Sequence, residues 1–422
     1  MKMKLTFHGG AHEVGRSCIN LCSNGYSVLM DCGIKLTSDA PEYPRLPEKV
    51  DSFILSHAHL DHCGMIPALY KQFLCPLYAT DLSFDISHIL QRDSLKITLS
   101  EGFAPEYDYD DIGLSSMGEN PVGYNERVEL NSKLSFELFD AGHIPGSASV
   151  LLDVVEGGES RKVLYTGDIK TSDTRLLDAA TVPQADILIS ESTYGNRVHP
   201  DRKDLENKLL AGVEETLNGG GNAVLASFAL GRTQELLLIL DDLGYPIYLD
   251  GMGAGLTKLM LQYPNYLRDA KALRKAVRNV VWIEHNGMRK QAIKEPSIIV
   301  STAGMLTGGP VWYYLKKLHG DTRSTLFLTG YQVEGTNGRL LLDEGYVVDP
   351  RSGDTINPRM GVEYLDFSAH AGRHSLERMV EKINPDKCIL VHGDSESCAS
   401  LGEFTGGVCE TFIPEVGSSI EL

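Results

Sequence analysis

A chain of 422 residues is long enough for two domains with separate cores. Its 42% hydrophobic and 23% charged content is ordinary for a soluble globular protein, and no apolar run approaches the ~20 residues of a membrane span, which excludes a helical membrane protein. The net charge of -18 argues against a whole-chain footprint for nucleic acid, because phosphate binding needs Lys and Arg, but it leaves open a single cleft in which bound metal ions add positive charge locally.

In chain order, Met1 to Gly10 lacks a signal-peptide core and reads as a first strand, so the chain is expected to be cytoplasmic. Leu21 to Asp31 reads as a hairpin ending in an acid. Val50 to Ser56 is a short apolar run, Pro67 to Phe73 looks helical, and 100–127 suits helix and loop over an edge. Leu134–Phe139, Val150–Val155, Lys162–Tyr165 and Ile187–Ser190 read as strands. The eight cysteines (Cys18, Cys22, Cys32, Cys63, Cys75, Cys388, Cys398 and Cys409) are scattered, and reduced thiols are expected.

From about residue 200 the texture changes. A helix over Leu205–Leu217 ends at Gly219-Gly220-Gly221. Short strands at Ala223–Ala226, Pro246–Asp250, Ser297–Ser301 and Thr325–Thr329 then alternate with helices, which implies a parallel α/β sheet. A basic stretch (Arg268, Lys271, Arg274, Lys275, Arg278, Arg289, Lys290, Lys294) reads equally as a solvated helix face or a phosphate-binding patch. After 362 strands and loops return, and Lys387–Val391 leads into His392. The α/β block is therefore expected as an insertion, with one domain built from 1–195 and 364–422 and the other from 196–363.

The chemistry concentrates in His57-Ala58-His59-Leu60-Asp61-His62. Side chains two apart in an extended segment share a face, so His57 and His59 can grip one ion, while Asp61 and His62, past the turn, point to a second. Such nitrogen and oxygen donors suit Zn²⁺, and burying four of them unpaired would cost several kcal/mol. Four further ligand-type residues follow strand-like runs: Asp31, His143, Asp168 and His392. Each alone is more often structural, but together they suggest one site at a shared sheet edge.

These motifs resemble a known family. His57-x-His59-x-Asp61-His62 with His143 and Asp168 is similar to the ligand set of the metallo-β-lactamase superfamily. Glu191-Ser192-Thr193-Tyr194-Gly195, Phe367-Ser368-Ala369-His370-Ala371 and Val391-His392-Gly393 resemble the added motifs of its β-CASP branch. Within that branch the chain most resembles the RNA-cleaving archaeal homologues of the cleavage and polyadenylation specificity factor nuclease subunit, a likeness to which Gly330-Tyr331-Gln332 and Gly231–Glu235 also contribute. The resemblance implies an α/β protein: an αββα metallo-β-lactamase sandwich with an inserted β-CASP α/β domain, the active site in the cleft between them.

It further implies two Zn²⁺ per chain, one on His57, His59 and His143, the other on Asp61, His62 and His392, with Asp168 bridging. Asp31 would orient a ligand or the attacking water, His370 would protonate the leaving oxygen, and Glu191 would orient His370 and keep it protonated, so that His370, Glu191, Asp61 and Asp31 form the catalytic set. Arg232 and Ser368 are the candidate substrate contacts; Arg232 opens a helix after a glycine turn, where phosphate binding and a structural ion pair are equally reasonable.

The implied function is hydrolysis of single-stranded RNA, endonucleolytic with 5′-to-3′ exonuclease action as a further option, in RNA processing, 3′-end maturation or decay. A homodimer through the C-terminal region and contacts with other RNA-processing factors are the implied partnerships. The chain begins at the first strand of the catalytic unit, without the KH domains that relatives often carry, and Asp366 stands where the RNase J group has a histidine that helps hold the 5′ end. The rivals are a catalytically silent scaffold, against which the complete ligand set argues, and a DNA nuclease of the same superfamily, against which His392 argues.

Overall fold

Alternating burial along Lys4–Gly9, with Leu5 and Phe7 fully buried, makes the N-terminal segment a half-buried strand. The computed structural model describes residues 3–37 and 40–422, with Asp242 described by its backbone only; Met1 and Lys2 of the expected first strand lie outside the described residues. The chain forms two compact units, one of 1–173, 179–198 and 370–422, the other of 174–178 and 199–369.

Among the described residues, the first unit holds two seven-stranded sheets. One runs in the order Ser419–Glu421, Lys4–Gly9, Cys18–Ser23, Tyr26–Met30, Ser52–Ile54, Leu77–Ala79, Glu119–Pro121. The other runs Glu410–Phe412, Lys387–Val391, Ile187–Glu191, Glu159–Tyr165, Ala148–Glu156, Leu134–Asp140, Arg127–Asn131. Leu5, Phe7, Leu21 and Val28 of the first sheet share one apolar core with Phe136, Val150, Val163 and Ile189 of the second, so the sheets pack face to face. The outer face of the first sheet, with Leu29, Phe53 and Leu77, is covered by helices carrying Ile66, Leu69, Phe84 and Ile112. That of the second, with Leu164, Leu188 and Leu390, is covered by Leu376, Val380 and Leu401. Helices outside and two sheets inside make the expected αββα sandwich.

Besides the short antiparallel pair Val347–Val348 and Thr355–Ile356, the second unit holds a six-stranded sheet in the order Val280–Trp282, Ile247–Asp250, Ile298–Ser301, Ala223–Ala226, Thr325–Leu328, Gly361–Tyr364. Every pairing within this six-stranded sheet is parallel. Ala223–Ala226 and Ile298–Ser301 are buried throughout, as strands covered on both faces must be. Leu209, Val213 and Leu236 cover one face, and Val311, Tyr314 and Leu315 the other.

Two features differ from the sequence reading. Gly361–Tyr364 pairs with Thr325–Leu328, and the chain returns to the first unit at His370, against an expected return at 364. Thr174–Asp178 also joins the second unit, where Glu235 accepts hydrogen bonds from the Arg175 and Leu176 amides at 2.9 and 2.8 Å. The C-terminal region forms strands within its own chain: Glu410–Phe412 beside Lys387–Val391, and Ser419–Glu421 beside Lys4–Gly9.

Candidate metal centre

Chain direction explains why the ligand-type residues meet. Leu134–Asp140, Glu159–Tyr165, Ile187–Glu191 and Lys387–Val391 all run the same way: the last three pair in parallel, and the first reaches them through an antiparallel neighbour. Their C-terminal ends, followed by His143, Asp168, Glu191 itself and His392, therefore lie along one edge. Tyr26–Met30 and Ser52–Ile54 are likewise parallel, so Asp31 and His57 leave the other sheet together.

His59 is the N-cap of the short helix Leu60–Cys63, with extended backbone at φ -69 and ψ 147, so the chain turns between His59 and Asp61. The following helix turn is braced by backbone hydrogen bonds from Cys32 to His62 (2.8 Å), Ile34 to Leu60 (2.9 Å) and Ser17 to Asp61 (2.8 Å). Gly33 has to be glycine for this approach: a Cβ there would lie 1.7 Å from the Asp61 carbonyl oxygen.

Three groups of potential donor atoms result: His57, His59, His143 and Asp168; Asp61, His62, Asp168 and His392; and Asp168, Glu191 and His370. The inward atoms of the first are His57 Nε2, His59 Nδ1, His143 Nε2 and Asp168 Oδ2. His59 Nδ1 lies 3.2 Å from His57 Nε2 and 3.0 Å from His143 Nε2. Asp168 Oδ2 lies 3.4 and 3.5 Å from those same two Nε2 atoms. In the second group Asp168 Oδ1 lies 3.3 Å from His62 Nε2 and 3.6 Å from His392 Nε2, and Asp61 Oδ2 is 3.6 Å from His392 Nε2. One carboxylate thus turns an oxygen to each group.

The donors fit zinc. Ligand atoms ~2.0–2.1 Å from a tetrahedral Zn²⁺ stand about 3.3–3.4 Å apart, close to the spacings here. His62 Nε2, His392 Nε2 and Asp168 Oδ1 are buried with no hydrogen-bond partner, an arrangement that costs about 1–3 kcal/mol per atom unless a cation fills the space. Protonation suits the task in the first group. Burial and the neighbouring imidazoles lower His57 and His143 and bring His59 down to about 3, so these three stay neutral. In the second, burial disfavours the charge on His62, but the Asp168, Asp31 and Asp61 carboxylates outweigh it and raise the imidazole well above its usual value, so a bound cation would take the place of the proton on Nε2. Burial opposes the charge on Asp168, but His392, His62 and His370 outweigh it and hold the carboxyl well below its usual range.

Outer contacts orient the rings. Asp31 lies 2.7 Å from His62 Nδ1 and accepts from the Ser56 amide (2.7 Å), the Ser56 hydroxyl (2.7 Å) and the Tyr165 hydroxyl (2.7 Å). Ser56 Oγ is also 3.0 Å from His57 Nδ1. Asp31 therefore serves a ring in each group, one directly and one through Ser56. Glu191, fully buried, lies 3.0 and 3.2 Å from His370 Nδ1, and Lys170 Nζ donates to the His370 carbonyl at 2.9 Å. Ser17, Ser56, Tyr165 and Lys170 have no sequence signature that would have singled them out.

Arg232 and Ser368 fall in the second unit and in none of the three groups. Arg232 opens the Arg232–Leu240 helix, as expected from the glycine turn, but its guanidinium is buried 5.6 Å from the Phe367 ring centroid. In the basic stretch Arg268 pairs with Asp178, Lys275 with Asp241 and Arg289 with Asp250, which favours the ion-paired surface over an open phosphate patch.

An αββα sandwich with a His/Asp cage at one edge of both sheets defines a metal-dependent hydrolase of the metallo-β-lactamase class. Comparison with known families narrows this. The Beta-Casp domain matches residues 233–341, the Zn-dependent metallo-hydrolase RNA specificity domain matches 355–404, and the anti-Pycsar protein Apyc1 family matches 3–216. The chain is 42% identical to "Probable RNase MJ4" of Methanocaldococcus jannaschii, covering 100% of both sequences. It is 36% identical to "RNase aCSPSF2" of Saccharolobus solfataricus, covering 100% of this chain and 86% of that one. A crystal structure of a protein of unknown function from Enterococcus faecalis V583 shares the fold, with a TM-score of 0.65 at 16% identity over 100% of both chains. The chain belongs to the β-CASP family of metallo-hydrolases.

Proposed function

We propose that this protein is a zinc-dependent ribonuclease that hydrolyses phosphodiester bonds in single-stranded RNA with two metal ions. The observation that carries the proposal is Asp168, whose two oxygens face two separate sets of donors, all buried but for the partly exposed His59 and Asp61. His57, His59 and His143 would hold one ion, and Asp61, His62 and His392 the other, with Asp168 shared. Bound there, the ions would supply Lewis acidity and positive charge at the attacked phosphate. The chain's own residues do the rest. Asp31 holds the His62 ring in place. Glu191 occupies Nδ1 of His370, which leaves Nε2 to donate a proton to the departing oxygen. The names of the two relatives above favour RNA over DNA, and the complete donor set speaks against a silent scaffold.

An unpaired RNA, blocked at its 5′ end against exonucleases, tests this. Internal cuts that leave 5′-phosphate and 3′-hydroxyl ends are expected; 2′,3′-cyclic phosphate products would overturn the mechanism. Digestion only of an unblocked 5′-monophosphate RNA would make 5′-to-3′ exonuclease action the main activity in place of endonuclease action. Among the described residues no helix is long and apolar enough to cross a membrane. A homodimer through the C-terminal region is part of the same proposal: static light scattering is expected to give roughly twice the 46.3 kDa of one chain, and the mass of a single chain would overturn it.

A further inference from the structure

We infer that Ser17 is a positioning residue for the second set of donors, fixing both the orientation and the tautomer of His392. The inference rests on the two-ion reading above and concerns a residue outside every motif that led to it. Ser17 closes the loop after the first strand and is 2% exposed. Its Oγ lies 2.8 Å from His392 Nδ1. Its amide donates to the Asp61 carbonyl at 2.8 Å, and its carbonyl accepts from the Gly33 amide at 3.0 Å. One serine therefore touches two members of the same donor set, Asp61 and His392, from distant parts of the chain. The same loop holds the His392 backbone, whose amide donates to the Gly10 carbonyl at 2.7 Å and whose φ is +48, in the left-handed region.

The chemistry of imidazole makes this contact consequential. A neutral ring carries one N–H, and the nitrogen without it is the ligand. His392 Nε2 faces Asp168 Oδ1 at 3.6 Å and Asp61 Oδ2 at 3.6 Å, too far for a hydrogen bond and without one from elsewhere. For Nε2 to bind a cation, the proton must sit on Nδ1, and the Ser17 hydroxyl is the acceptor placed there. Two other rings are held in the same way, His62 by Asp31 and His57 by Ser56, and Ser17 supplies the third such hold from a different loop. Partners of this kind typically contribute 10–100-fold to metal affinity.

The test is zinc affinity, measured by competition with a chromogenic chelator on wild type, Ser17→Ala and His392→Ala, with thermal unfolding of the metal-free proteins as a folding control. Ser17→Ala is expected to hold one ion as wild type does and the other about 10–100-fold more weakly. His392→Ala is expected to lose the same ion. Histidine-labelled NMR of the zinc-loaded protein gives a second readout: the Nδ1 proton of His392 is expected to be slow to exchange in wild type and fast in Ser17→Ala. Two ions held as tightly in Ser17→Ala as in wild type would overturn the role of Ser17 and leave the two-ion reading standing. Equal weakening of both ions would overturn the specific pairing with His392. A wild type that holds a single ion would overturn the two-ion reading and this inference with it.

Discussion

Replacing Asp168 with Ala is expected to cut zinc content from two ions to at most one and to lower RNA cleavage by at least about 10³-fold, or about 4 kcal/mol of barrier. Each oxygen of this carboxylate stands 3.3–3.6 Å from two imidazole nitrogens, Oδ2 from His57 and His143 and Oδ1 from His62 and His392. Among the described residues no other side chain belongs to both of these donor sets. Without the carboxylate, two like-charged ions would lie close together with no anion shared between them, so the loss should exceed that of a single imidazole. Elemental analysis of the purified variant, alongside its cleavage rate, checks this. Two tightly held ions in Asp168→Ala would sink the shared-carboxylate assignment.

His370→Ala is expected to slow cleavage by about 10²–10⁴-fold at neutral pH while both ions are retained. Burial disfavours the charge on His370, but the Glu191 and Asp168 carboxylates outweigh it and raise the imidazole to about 9. Bound cations beside Asp168 pull the other way, so the loaded protein should titrate below that value. The sign follows from the role. A general acid must be protonated, so its contribution is complete at low pH and is lost as pH rises through its folded-state pKa. Glu191→Gln keeps the contact with Nδ1 but removes a charge that favours the imidazolium, so the alkaline limb of the rate profile should move to lower pH. A limb that stays in place in Glu191→Gln, or a wild-type rate in His370→Ala, would remove His370 from the acid role.

The candidate donors were legible because Asp31, His143, Asp168 and His392 follow strand-like runs, and because four more crowd into His57–His62. Other parts of the molecule carry no such signal. The helix Asp81–Ser100 buries Ser83, Ser87, Gln91, Ser94 and Thr98 alongside Leu82, Phe84 and Leu95, so its inner face has no clean apolar stripe in the sequence. The Thr174–Asp178 excursion depends on Glu235, about sixty residues away, offering its carboxylate to two backbone amides. The pairing of Ile420 with Leu5 joins the two ends of the described chain and leaves no local mark in the sequence.

By itself the sequence pointed to the candidate metal ligands and to a parallel α/β block, through local periodicity and the cost of burying imidazole and carboxylate without a partner, while the αββα sandwich followed from the family resemblance of its motifs. Only the tertiary structure decided which donors share a set, that Asp168 faces both, that Ser17 and Ser56 hold rings from behind, and that Tyr165 holds Asp31. Serine and tyrosine occur throughout any chain, and a hydroxyl becomes a positioning group only when folding brings it within 3 Å of a particular nitrogen or carboxylate. That proximity is set by sheet order and chain direction across hundreds of residues, which no local pattern encodes.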